Sequence, residues 1–211
     1  MNSRATPDSE ATFTGNTFDK YGSTNPVVRR LMSGFLRDLD ACITMAAPTS
    51  ILDIGCGEGI LTHEWAGRLP NGGRIVGIDL DDPLLQAHWE QRRAPNLEYR
   101  VMNGEKLEFA DNEFDIATAI EVFEHVSDPT RVLSEMARCA NCWLLVSVPR
   151  EPLWRITNVA RGAYWSELGN TPGHRNHWSS RSFRVMLSNY GEVVKLRHPF
   201  PWVMALVRLR D

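Results

Sequence analysis

Two short stretches concentrate groups suited to holding a nucleotide-like cofactor. In Ile51-Leu52-Asp53-Ile54-Gly55-Cys56-Gly57-Glu58-Gly59 an apolar run ends in a glycine-rich turn, and in Arg74-Ile75-Val76-Gly77-Ile78-Asp79 a second apolar run ends in a carboxylate. Glycines lacking a Cβ let the backbone come close to a ligand, and a carboxylate at a strand end accepts two hydrogen bonds from a ribose diol. A second set of groups suits proton transfer. Glu124, His125, His174 and His177 are the candidates for taking a proton from a reacting oxygen, histidine having the best-placed unperturbed pKa for that task.

These groups work together only if regular elements bring them to one place. A helix is expected from Pro26, with Asn25 as its N-cap and Val27, Leu31, Phe35 and Leu39 on its apolar face. After Pro48 strands and helices alternate: strands near 50–54, 74–79, 97–102, 114–120 and 143–148, with helices near 59–68, from Asp82-Pro83, and from Asp128-Pro129 to Ala140. Such alternation predicts a parallel sheet covered by helices on both faces. Right-handed crossovers then align the strand carboxyl ends along one edge. The chain closes differently, with a helix over 179–190 and two β-rich runs, 192–197 and 202–209, joined by a link short enough to require antiparallel pairing.

Composition sets the outer limits. With 211 residues and a net charge of -3, the chain suits one packed domain and has no global attraction to nucleic acid or an anionic membrane. We read residues 1–16 as a mobile polar tail and 17–211 as a single domain. The expected location is cytoplasmic, since no apolar run is long enough to cross a bilayer and the amino end lacks a secretory signal. Cys139 and Cys142 have redox or half-zinc spacing without a second ligand pair, so they are expected to serve packing, while Cys56 suits the glycine turn by its small size.

The motifs together resemble the class I S-adenosylmethionine (SAM)-dependent methyltransferases, of the small-molecule and quinone-biosynthesis type. The D-x-G-x-G-x-G signature stands at Asp53, Gly55, Gly57 and Gly59, and differs from the G-x-G-x-x-G of a nicotinamide site. Asn103-Gly104 through Asp115 resembles the segment whose first residue contacts adenine, and Glu121-Val122-Phe123-Glu124-His125-Val126 resembles the E-V-x-E-H-V motif after strand four. The resemblance implies a Rossmann-like α/β three-layer sandwich, with a seven-stranded, mostly parallel sheet and an antiparallel C-terminal hairpin. It implies SAM as cofactor, held by Asp53, Gly55, Cys56, Gly57, Asp79 on the ribose, Leu80 on the adenine, Asn103, Gly104, Ile120 and Glu121, with Tyr21 closing over the site. It also implies an enzyme whose acceptor is a small molecule or a lipid-linked one.

The cofactor motifs do not encode the acceptor. His125 follows strand four at the active edge, and the polar loop 169–179 carries His174, Arg175, His177 and Trp178. We take His125, His174 and His177 as the catalytic candidates. No metal is expected, because H-x-x-H lacks a third ligand of clear spacing. Residues 149–178 form an insertion in which Trp154, Ile156, Val159, Tyr164 and Trp165 interleave with arginines, a pattern suited to a substrate lid or to peripheral membrane contact. Oxygen is the favoured target atom. Carbon and nitrogen acceptors and a non-catalytic SAM-binding protein are the alternatives. A nucleic-acid substrate is disfavoured by the acidic balance and the lack of a basic extension.

Overall fold

Strands covered on both faces read as unbroken apolar runs. That is the pattern of β1 (Ser50–Ile54) and β2 (Arg74–Asp79), each with four consecutive buried residues. The computed structural model describes residues 24–160, 168–171 and 173–210. In it β1 pairs in parallel with β2 on one side and with β4 (Phe114–Ile120) on the other. With β3 (Leu97–Val101), β5 (Ala140–Pro149), β6 (Gly191–Arg197) and β7 (Trp202–Leu209), the sheet has seven strands in the order β3-β2-β1-β4-β5-β7-β6. The first five are mutually parallel, and β7 runs antiparallel to both β5 and β6. The mixed sheet with its C-terminal hairpin is the expected one, and the last strand takes the inner position beside β5.

The helices begin where short polar side chains satisfy their first amides. Asn25 accepts from Val27 and Val28 at the start of α1 (Pro26–Ala46), and Asp82 accepts from Leu84 at the start of α3 (Pro83–Gln91). Asp128 accepts from Thr130 and Arg131 for α4 (Pro129–Cys139). Ser179 and Ser182 cap each other at α6 (Ser180–Ser188). In the first three, proline stands in the first turn, where a missing N–H costs nothing. α2 (Ile60–Ala66) starts directly from the glycine turn, and α5 (Leu153–Ala160) follows β5.

Two apolar layers hold the sheet between them. On one face Phe123, Leu133, Met136, Phe183 and Leu187 pack against residues such as Leu52, Ala117, Val146 and Ala205. On the other, Met32, Phe35, Leu39 and Trp65 meet Ile51, Ile75, Leu145 and Met204. Full burial of such a side chain stabilises by about 1.5–3 kcal/mol. The buried stripe of α1 is Met32, Phe35, Leu39 and Cys42, while Val27 is 65% exposed. At roughly 100° per residue Val27 lies well round the helix from that stripe, so its expected place on the apolar face is corrected. Among the described residues no helix is long and apolar enough to cross a membrane.

Candidate cofactor and acceptor site

The turn after β1 is fastened to the end of β2. The Gly57 amide donates to Asp79 Oδ2 at 2.7 Å, the Leu80 amide to Asp79 Oδ1 at 2.8 Å, and the Cys56 amide to the Ile78 carbonyl at 3.0 Å. Trp89 Nε1 donates to the Gly57 carbonyl at 2.8 Å, and the Trp89 ring stacks on Tyr99 of β3. Gly55 and Gly57 both have positive φ, 67° and 55°, which L side chains rarely adopt. A Cβ at Gly55 would lie 2.5 Å from Val122 beyond β4, whereas one at Gly57 would meet nothing within 4 Å. The turn thus closes on protein at one glycine and faces open space at the other.

The carboxylates divide the work. Asp53 is 3% exposed, and its two oxygens accept from the Thr62 and Thr118 hydroxyls, each at 2.7 Å. Burial pushes its carboxyl up to about 6, against the two hydroxyl bonds. Asp53 therefore ties β1 to α2 and β4 from within. Asp79 stands at the strand end. Burial raises its pKa as well, opposed by the Gly57 and Leu80 amides. Each carboxylate oxygen has two acceptor sites, so the amide bonds leave capacity for a diol. Burial also raises the Cys56 thiol, which keeps it protonated.

Around these groups Leu80 is 38% exposed. Asn103 is exposed just beyond β3, and its side-chain oxygen accepts from the Glu105 amide at 2.9 Å. Gly104 is wedged so that a Cβ would lie 2.9 Å from Ile54. Ile120 ends β4, and Glu121 follows it with φ 60°. The Glu121 carboxylate accepts from Ser147 on β5 at 3.1 Å and from the indole of Trp202 on β7. Tyr21 lies outside the described residues, as do the proposed tail 1–16 and Tyr164 and Trp165 of the insertion.

The acceptor candidates gather beyond β4. His125 Nδ1 lies 3.1 Å from the Gly173 carbonyl, and its ring meets that of His174 edge-on with centroids 4.9 Å apart. Glu124 and His174 are buried and His125 is exposed. One ligand-type atom from each of the three lies within 4.8 Å of the others. The loop carrying His174 is clamped to the β4 extension. Arg175 N donates to the Glu124 carbonyl at 2.7 Å, and Asn176 Nδ2 donates to the carbonyls of Phe123 and Val126. His177 points elsewhere, with Nε2 2.7 Å from Asn170 Oδ1, and is exposed.

Trp154 of α5 links this cluster to the sheet. It stacks on His174 at 5.9 Å, lies 5.8 Å from Trp202, and donates from Nε1 to Thr171 at 2.9 Å. Asn158 Nδ2 donates to the Gly169 carbonyl at 2.8 Å, so α5 and residues 168–171 form one unit. Ile156 is 59% exposed. Sequence reasoning did not single out Thr62, Thr118, Trp89 or Trp202. The first two sit inside helix and strand patterns with no motif of their own, and the tryptophans look like ordinary core residues.

Residues 52–141 match the family model for a methyltransferase domain. Over 91 residues the chain is 37% identical to a ubiquinone biosynthesis O-methyltransferase of Acinetobacter baylyi, a match covering 41% of this chain and 37% of that protein. The chain thus spans well under half the length of the curated relatives it matches. Among solved structures, magnesium protoporphyrin IX methyltransferase of Synechocystis PCC 6803 with bound SAH superposes with a TM-score of 0.63 at 16% identity, covering 90% of each chain. A Pyrococcus horikoshii protein superposes with a TM-score of 0.67 at 17% identity, covering 92% of this chain and 97% of that one. At such identities the shared property is the fold.

Proposed function

We propose, taking residues 52–141 as a methyltransferase domain of the class I, SAM-dependent kind, that the whole protein methylates a small-molecule or lipid-linked acceptor, with oxygen the target atom. One observation carries the reading: Asp79 fixes the glycine turn through the Gly57 amide while the Gly57 face stays open. SAM is the cofactor, and when bound it supplies an electrophilic methyl group on a sulfonium. In this reading Asp79 takes the ribose hydroxyls, Leu80 and Asn103 flank the adenine, and the backbone at Gly55, Cys56, Gly57, Gly104, Ile120 and Glu121 borders the cofactor. Asp53 acts from behind by holding β1 in place. Tyr21 is assigned to the closing wall by its position in the sequence alone.

Transfer of a methyl group depends chiefly on alignment of the nucleophile. An oxygen acceptor must also shed its proton, and that task falls to the cluster of Glu124, His125 and His174. His177 shapes the same loop through Asn170. α5, with its exposed Ile156 and its ties to residues 168–171, is the proposed lid, and it could also meet a membrane that holds a lipid-linked acceptor. A cytoplasmic location agrees with four free cysteines.

Calorimetry with S-adenosylhomocysteine, followed by screening of hydroxylated acceptors with methyl-labelled SAM, tests the reading. Saturable binding and label on an acceptor oxygen are expected. Absence of binding overturns the cofactor assignment. Binding with no labelled product from any acceptor favours a SAM-binding protein without transferase activity.

A further inference from the structure

We propose that Trp89 and Tyr99 are positioning residues for cofactor binding, an aromatic brace that fixes the glycine turn through its carbonyls. The proposal rests on the cofactor reading of that turn. Gly55, Gly57 and Gly59 all have positive φ, 67°, 55° and 75°. Glycine loses more conformational freedom on ordering than any other residue, so a turn of this composition keeps one shape only where other groups hold it. Asp79 takes the Gly57 amide. The carbonyls are held by a different part of the chain. Trp89 Nε1 donates to the Gly57 carbonyl at 2.8 Å, and the Tyr99 hydroxyl donates to the Gly59 carbonyl at 3.2 Å. The two rings stack with centroids 5.2 Å apart and planes 5° from parallel, so each limits the rotation of the other.

The local sequence builds this brace. α3 buries Leu85 and Trp89, four positions apart and therefore on one helix face, and Trp89 is 7% exposed. Tyr99 lies opposite Gly77 in the β2–β3 register. A Cβ at Gly77 would lie 3.0 Å from Tyr99 Cδ1 and 3.1 Å from Cys56 Sγ, so the bare glycine gives the ring room to lean over β2 toward the turn. A Cβ at Gly59 would collide with the Tyr99 hydroxyl. Burial raises the pKa of that hydroxyl, which keeps it a donor.

Packing alone would ask only for two flat rings at these positions. The indole N–H and the phenol O–H add bonds to carbonyls 32 and 40 residues earlier. A binding face already held in its bound shape loses less freedom when the ligand arrives. The brace thus sets the turn during folding, and cofactor affinity should depend on the two donors as well as on the rings.

The test uses Trp89→Phe and Tyr99→Phe in the full chain, which keep the stacked rings and delete one donor each. In the free chain, amide hydrogen exchange at Gly57 and Gly59 should be about tenfold faster in either variant. By calorimetry each should bind S-adenosylhomocysteine about tenfold more weakly, with its melting temperature close to native. The double variant should lose less than the product of the two effects, because both donors fix one turn. Trp143→Phe, at the opposite end of β5 beside Arg208, should match the native chain in every measurement. Tyr99→Phe carries the test if Trp89→Phe does not fold. Native affinity in the folded variants overturns the proposal and leaves the cofactor reading in place. Faster exchange throughout α3 and β3 instead of at the turn also overturns it, since the rings would then be serving packing alone. A native chain that binds no S-adenosylhomocysteine sinks the cofactor reading, and the proposal with it.

Discussion

The proposed cofactor side and the proposed acceptor side of the sheet's carboxyl edge are assembled in different ways. On the cofactor side, the Gly57 amide of one strand-end turn meets a carboxylate 22 residues later, on the neighbouring parallel strand. On the acceptor side, side chains 49 positions apart, His125 and His174, meet because a loop beyond β5 folds back onto the β4 extension through backbone bonds. The first arrangement depends on which residues are glycine and on strand register. The second depends on a clamp made of Asn176 and the Glu124 carbonyl. Cofactor binding should therefore fail through steric change at few positions, and acceptor chemistry should be separable from it.

Gly57→Val is the most severe test of the cofactor side. The added branches enter the space that faces the site, in a conformation valine rarely adopts. S-adenosylhomocysteine binding should fall below detection with the fold retained by circular dichroism. Normal affinity would place the cofactor elsewhere. Asp79→Ala comes next. It removes the proposed ribose acceptor and the bonds to Gly57 and Leu80, and calorimetry should show at least about a hundredfold weakening, charge-assisted bonds contributing about 1.5–3 kcal/mol each.

Asp53 tests whether the buried carboxyl is structural. Its folded pKa of about 6 lies above the unfolded value, so its favourable contribution is fully present below about pH 4 and lost as pH rises through 6. The stability of the native chain minus that of Asp53→Asn should drop by roughly 3 kcal/mol across this window, measured by denaturant titration. A flat difference would mean that the carboxyl stays ionised in the folded chain. The smallest effect is expected at His177→Ala. Turnover of an identified acceptor should fall about tenfold through loss of loop positioning, with cofactor affinity within about twofold of native. A parallel loss of both would erase the division between the two sides.

Legibility in the sequence follows the same division. Strand–turn–helix units announce themselves through apolar runs, glycines and capping pairs such as Asp82-Pro83 and Asp128-Pro129, and these stand where expected. The start of β5 is less legible. α4 passes into it at Ala140 without a loop, where a strand from Trp143 was expected, because Ala140 pairs at once with Phe114. The grouping of Glu124 with His125 and His174 had no local signal, since adjacency in sequence pointed to His177 as the companion of His174. The bond between Glu121 and Trp202, 81 residues apart, is likewise a product of strand order, which no short pattern records.

Strand β7 has a consequence for how the protein is made. It leaves the ribosome after the other six strands of this sheet, yet it occupies the interior of the sheet between β5 and β6 and carries Trp202 to Glu121, Phe35 and Trp154. Until that strand is synthesised, β5 has an open edge and β6 has no partner. The earlier strands can pair during elongation, but the buttress behind the loop that carries His174 arrives only with β7. A nascent chain arrested before residue 202 would present unpaired backbone and apolar surface of the kind that chaperones and proteases recognise. The placement of one late strand therefore makes completion of the acceptor side a checkpoint on synthesis of the whole domain.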